Sequence, residues 1–123
     1  MTTRTRVDVA HEASVERDLP GIVGFLKEHL GPNVTAFIAG RDASTVGRWA
    51  KGDGQQPSDQ IERRLRAAFQ VFQTLNEDNS SHVVRAWFIG MNPQLADETP
   101  AEVLKDDRHR EVMAAARAFK VGG

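Results

Sequence analysis

Signals that end a helix punctuate this chain, and nothing between them has the period of a strand. Gly31-Pro32, Gly40, Lys51-Gly52-Asp53-Gly54-Gln55-Gln56-Pro57, Asn76-Glu77-Asp78-Asn79-Ser80 and Gly90-Met91-Asn92-Pro93 combine residues that tolerate a left-handed backbone, offer side-chain acceptors, or cannot continue an α-helix. No stretch alternates apolar and polar residues for long enough to form a strand; apolar residues recur three and four positions apart instead. The pattern predicts an all-α fold: an N-terminal helix-turn-helix lobe packed with a C-terminal helical lobe.

The first helix is expected over Asp18 to Leu30, with Pro20 in its first turn and Ile22, Phe25, Leu26 and Leu30 as its apolar stripe. A short helix from Asn33 to Ala39 follows, then one from Asp42 to Lys51 with Asp42 as N-cap. The longest, Ser58 to Leu75, carries Ile61, Leu65, Ala68, Phe69, Phe72 and Leu75 on one face, with Glu62, Arg63, Arg64 and Arg66 on its flanks. Ser81 to Ile89 turns Val83, Val84, Trp87 and Phe88 inward. Thr99-Pro100-Ala101-Glu102 is a capping box that opens a short helix through Leu104. The last helix, Asp107 to Phe119, buries Val112, Met113, Ala116 and Phe119. Residues 1–16 lack an apolar face and read as a flexible arm, residues 17–57 as the helix-turn-helix region, and residues 58–123 as a second helical region.

Composition narrows the function classes. A chain of 123 residues can bury a core without a staple. Zero cysteines remove disulfides, thiol nucleophiles and Cys-type metal sites together. No apolar run approaches the roughly 18 residues of a membrane span, and the N-terminal stretch lacks the apolar centre of a secretory signal; a cytoplasmic location is expected. Net charge is −1 overall, yet Arg41 to Arg66 holds six basic and four acidic residues. Nucleic-acid binding would therefore use this local basic bias rather than a global field. With no tyrosine and 7% aromatics, a base-stacking single-strand binder is disfavoured.

Residues 33–51 meet the steric demands of a helix-turn-helix. The first helix needs a small residue at the crossing, the turn a residue tolerant of positive φ, and the second helix an aliphatic residue facing the first. Ala36, Gly40 and Val46 fill these places, and Trp49 lies one turn on, able to seal the same core. In a DNA reader the second helix enters the major groove. Its solvent face would carry Ala43, Ser44, Thr45, Gly47, Arg48 and Lys51. Arg48 is the candidate for a base edge; Ser44 and Thr45 suit phosphate or base, and Arg41 and Lys51 suit phosphates. The bland alternative is a helical hairpin that packs well and binds no DNA.

Catalytic signatures are missing. His11, His29, His82 and His109 fall in no metal-ligand spacing, and no phosphate-binding, hydrolase or metalloprotease motif occurs. Asp97-Glu98 and Asp106-Asp107 precede helices, where carboxylates offset the dipole. No cofactor is expected, and the chain reads as a binding protein rather than an enzyme.

The run RAWFIGMNPQLADETPAEVLKDDRHREVMAAARAF resembles the toxin-binding domain of Xre/MbcA/ParS-type antitoxins. The features that carry the resemblance are Trp87 and Phe88, Gly90, Asn92-Pro93, Leu95, the Thr99-Pro100 cap, Leu104, and a helix ending near Ala118-Phe119. The upstream LGPNVTAFIAGRDASTVGRWAKG resembles the Xre-like helix-turn-helix of that family. The resemblance spans Ile22 to Phe119. It implies an all-helical, usually dimeric protein paired with a toxin, commonly of the NAD-degrading RES class, whose active-site cleft the antitoxin's C-terminal segment covers. It also implies repression of its own operon by binding operator DNA. Carried to this chain, the toxin-facing residues would be Arg110, Arg117, Lys120, Val121, Gly122 and Gly123. Trp87, Gly90, Asn92, Pro93, Thr99 and Pro100 would set the corner that presents them. Two alternatives remain at this level: a stand-alone transcriptional regulator, and an interaction module whose helix-turn-helix no longer binds DNA.

Overall fold

The computed structural model describes residues 18–122; the arm of residues 1–16 and Gly123 lie outside them. Among the described residues there are seven α-helices and no strand. They are α1 (Leu19–His29), α2 (Pro32–Ala39), α3 (Ala43–Lys51), α4 (Asp59–Asn76), α5 (Ser81–Ile89), α6 (Pro100–Lys105) and α7 (His109–Lys120), with a single 3-10 turn at Pro93–Leu95.

Five of the seven starts follow from a side chain that accepts one of the orphan N–H groups of a first turn; α2, after Gly31, and α7, after Arg108, start without one. Asp18 accepts from Gly21, Asp42 from Thr45, Ser58 from Ile61 and Ser80 from Val83. Thr99 and Glu102 form the reciprocal capping box that opens α6.

One apolar core runs from α1 to α7. The long α4 is its axis, with Leu65, Ala68, Phe69, Phe72 and Leu75 fully buried. Phe25 of α1 meets Phe69 and Phe72 edge-on, with centroids 5.1 and 5.3 Å apart, a favoured aromatic geometry. α1 packs on α3 and α4, α2 on α3 and α6, and α7 on α4, α6 and the 3-10 turn. The helix-turn-helix thus lies against one side of α4 and the last helix against another part of it.

Several expectations are corrected. Val83 is 44% exposed; the α5 residues that enter the core are Val84 and Phe88. In α7, Ala115 is buried in place of Met113, which is half-buried with Phe119. That helix starts at His109, because Asp107 adopts φ 63 and cannot join it. Arg64, grouped with Glu62, Arg63 and Arg66 on the flanks of the long helix, is only 8% exposed.

Candidate DNA-binding and partner-binding surfaces

The turn between α2 and α3 closes as the sequence spacing requires. Gly40 sits at φ 72, ψ 31, in the left-handed region. Its N–H donates to the Ala36 and Phe37 carbonyls, and the Arg41 N–H to that of Ala36, a Schellman ending. Ala36 and Val46 are buried on the facing helices. Trp49 completes the contact, and its indole Nε1 donates to the Gln55 carbonyl at 2.9 Å. That bond ties the loop of residues 52–58 to α3.

The outer face of α3 is polar. Arg41, Ala43, Ser44, Arg48 and Lys51 are exposed, and Thr45 is half-buried. Gly47, expected on this face, is partly covered and faces α1: a Cβ there would lie 3.8 Å from Lys27 Nζ. The Asp42 carboxylate accepts the Thr45 N–H at 2.7 Å; the Thr45 side chain first, and this N–H second, lower its pKa. Arg48 Nη2 donates to Thr45 Oγ1 at 3.3 Å, and Arg41 Nη1 to its neighbour's carbonyl. A half-open pocket of about 430 Å³ separates α3 from the loop; Arg41, Thr45, Arg48, Trp49, Asp53, Gln55, Gln56 and Ser58 are among its lining residues. The loop side of this pocket had no signal in the sequence beyond its turn residues.

The C-terminal surface centres on α7. Arg110 and Arg117 are exposed and have no ion-pair partner among the described residues. Seven positions apart, they lie on one side of the helix, and Val121, 86% exposed, continues that side with Gly122 beyond it. Lys120 is placed differently. Its Nζ lies 3.4 Å from Glu77 and 3.6 Å from Asp78, so it folds back on the turn between α4 and α5 instead of reaching outward.

The corner before α6 is built around Asn92. Its side-chain oxygen accepts the Gln94 N–H, and its carbonyl accepts those of Leu95 and Asp97. Its own N–H donates to the Glu98 carbonyl at 3.0 Å. A buried asparagine thus satisfies the turn that Pro93 starts, with Ala96 and Asp97 at φ 53 and 67. Gly90 is extended, at φ −88, ψ 152; a Cβ there would sit 3.2 Å from the Ala86 carbonyl. Pro100, first residue of α6, is buried behind the Thr99 cap. Trp87 is half-buried with its ring 6.4 Å from that of Phe119, which holds the end of α7.

One buried charge joins the two surfaces. Arg64 donates from Nη1 to the Ile38 and Ala39 carbonyls, at 3.1 and 3.0 Å, capping the end of α2. Its Nε and Nη2 hold Asp107 at 2.9 and 3.1 Å, immediately before α7. Arg64 and a hydrogen bond from Gln60 draw the Asp107 pKa down to about 2. Asp107 is therefore an ion-pair partner rather than a dipole carboxylate. Glu98 likewise pairs with Arg108 at 2.8 Å; Arg108 also grips Glu111, which lowers the Glu111 pKa.

Among the described residues, no group of three His, Asp or Glu side chains could hold a metal ion, and no helix is long and apolar enough to cross a membrane. No family model matches the chain, and no curated protein matches it. Among solved structures, the fold is similar to a chain in the crystal structure of the M. tuberculosis MbcT–MbcA toxin–antitoxin complex. The TM-score is 0.72 at 24% identity, covering 85% of this chain and 95% of that one.

Proposed function

We propose that this chain is the antitoxin of a type II toxin–antitoxin pair. The observation that supports the reading is the shared fold with a chain of a toxin–antitoxin complex over 85% of the sequence, together with the Trp87–Gly90–Asn92-Pro93–Thr99-Pro100 corner that the sequence resemblance rests on. In this reading the protein acts in the cytoplasm without catalysis. It neutralises a RES-type, NAD-degrading toxin by covering its active-site cleft with the C-terminal region, through Arg110, Arg117 and the Val121–Gly123 tail. Two copies bind operator DNA through α2 and α3, with recognition helices about 34 Å apart, and so repress the operon. Residues 17–57 serve DNA and residues 58–123 serve the toxin and the dimer.

The test is co-purification. The chain is expressed with the product of the adjacent open reading frame, and the mixture is run on a sizing column. A stable complex that elutes ahead of either protein alone is expected. Separate elution at micromolar concentration overturns the antitoxin reading and leaves a stand-alone regulator.

A further inference from the structure

We propose that the cleft between α3 and the 53–58 loop is a phosphate clamp for the DNA backbone, and that Arg48 serves it rather than a base edge. The inference rests on the DNA-binding part of the reading above. The cleft holds about 430 Å³ and is half open, space enough for a phosphodiester group. Two guanidinium side chains, Arg41 and Arg48, line it, and neither has a carboxylate within ion-pair distance among the described residues. Gln55, Gln56, Thr45 and Ser58 add neutral polar groups, while Asp53 supplies one opposing charge on the wall. The side chains that line it therefore carry two positive charges against one negative.

The conformation of Arg48 points the same way. Its Nη2 is bonded to Thr45 Oγ1, and its Cδ and Nε lie 3.7 Å from where a Cβ on Gly54 would stand. The side chain is thus laid along the loop. Gly54 is at φ 76, a backbone that favours glycine, and Trp49 fixes the loop through Gln55. The wall beside Arg48 is therefore tied to α3 at Gln55. A planar guanidinium beside side-chain amides suits phosphate oxygens. Phosphate contacts set register and carry no direct sequence information, so base reading falls to Ser44 and Lys51, the other exposed polar side chains of α3.

The same chemistry could hold the phosphate of a small molecule, and the experiment separates the two. Affinity is measured by fluorescence anisotropy for two duplexes of about 20 base pairs: the DNA upstream of this chain's coding sequence, and a scrambled copy. Arg41→Ala and Arg48→Ala should each weaken both duplexes by a similar factor, roughly 5- to 30-fold, and reduce the slope of log Kobs against log salt by about 0.9. Gln56→Glu, which adds an anion at an exposed loop position, should also weaken both. If Arg48→Ala weakens only the upstream duplex, Arg48 reads a base and the clamp is wrong. The clamp is equally wrong if all three variants bind like wild type. Failure of wild type to bind either duplex removes the DNA reading itself. In that case, shifts of the Gln55 and Gln56 amides on titration with inorganic phosphate would assign the cleft to a free phosphate compound and overturn the DNA clamp.

Discussion

Arg64 on α4 grips Asp107 at the foot of α7 through two parallel hydrogen bonds, Nε to Oδ1 at 2.9 Å and Nη2 to Oδ2 at 3.1 Å. Its remaining nitrogen caps α2, so one guanidinium ties the α2–α3 hairpin to the base of the last helix. Removing either partner leaves the other poorly satisfied. Arg64→Ala is expected to destabilise the fold by about 3 kcal/mol and Asp107→Ala by about 1–2 kcal/mol, since Arg64→Ala also uncaps the Ile38 and Ala39 carbonyls, whereas Asp107→Ala leaves those two bonds in place. Urea midpoints of the two variants and the double variant should give a coupling of about 1–2 kcal/mol; additive losses would mean that the pair contributes nothing beyond its separate contacts.

The same pair predicts an acid limb. Asp107 falls from 3.8 to about 2 in the folded chain, so the folded state releases this proton more readily than the unfolded chain. Its contribution is fully present above the unfolded value and is lost as pH falls through the folded one. The stability gap between wild type and Asp107→Asn should be flat above pH of about 5 and shrink between roughly 4 and 2. Thermal melts of both proteins across that range check it, and a gap that widens on acidification contradicts the assigned sign.

Gly40 provides a test of the hairpin turn. Its φ of 72 strains any residue with a Cβ, and a methyl there would lie 3.6 Å from Arg64 Nη1, in ordinary contact. Gly40→Ala should cost about 1 kcal/mol from backbone strain alone. Gly24 is at negative φ with open space around its Cβ position, so Gly24→Ala should stabilise α1 by a few tenths to about 1 kcal/mol. Denaturant midpoints of opposite sign for two Gly→Ala changes would confirm that conformation, not residue type, sets the effect.

On α7, charge reversal is a cleaner probe than truncation. Deleting residues 110–123 would strip Val112, Ala115 and Ala116 from the core. Arg110→Glu and Arg117→Glu change exposed side chains only. Each should leave the melting temperature within a few degrees and weaken toxin binding by roughly 5- to 30-fold, chiefly at low salt. Unchanged affinity in calorimetry for both variants would move the toxin surface away from this face.

What the sequence made legible was local. The caps at Asp42, Ser58 and Thr99 act within three residues, and Gly40 closes its own turn; such interactions leave their signature in adjacent letters. Arg64 and Asp107 are 43 positions apart, and nothing in either neighbourhood marks a buried arginine or a left-handed aspartate. Lys120 was read as an outward reach for the same reason, its partners Glu77 and Asp78 lying across the fold. Val83 and Ala115 show the limit of periodicity: an apolar residue at the edge of a helical stripe is turned in or out by the neighbouring helix. The exposed polar face of α3 was legible as a face, but the pocket beside Arg48 depends on how the 53–58 loop folds against Trp49.

The central claim, that this chain neutralises a toxic partner, is tested most directly by growth. The adjacent open reading frame is induced alone, with this chain, and with the Arg110→Glu/Arg117→Glu double variant. The account predicts arrest, rescue, and failure of rescue in turn, with the variant present at wild-type abundance. A harmless neighbour, or arrest that this chain does not relieve, would contradict it.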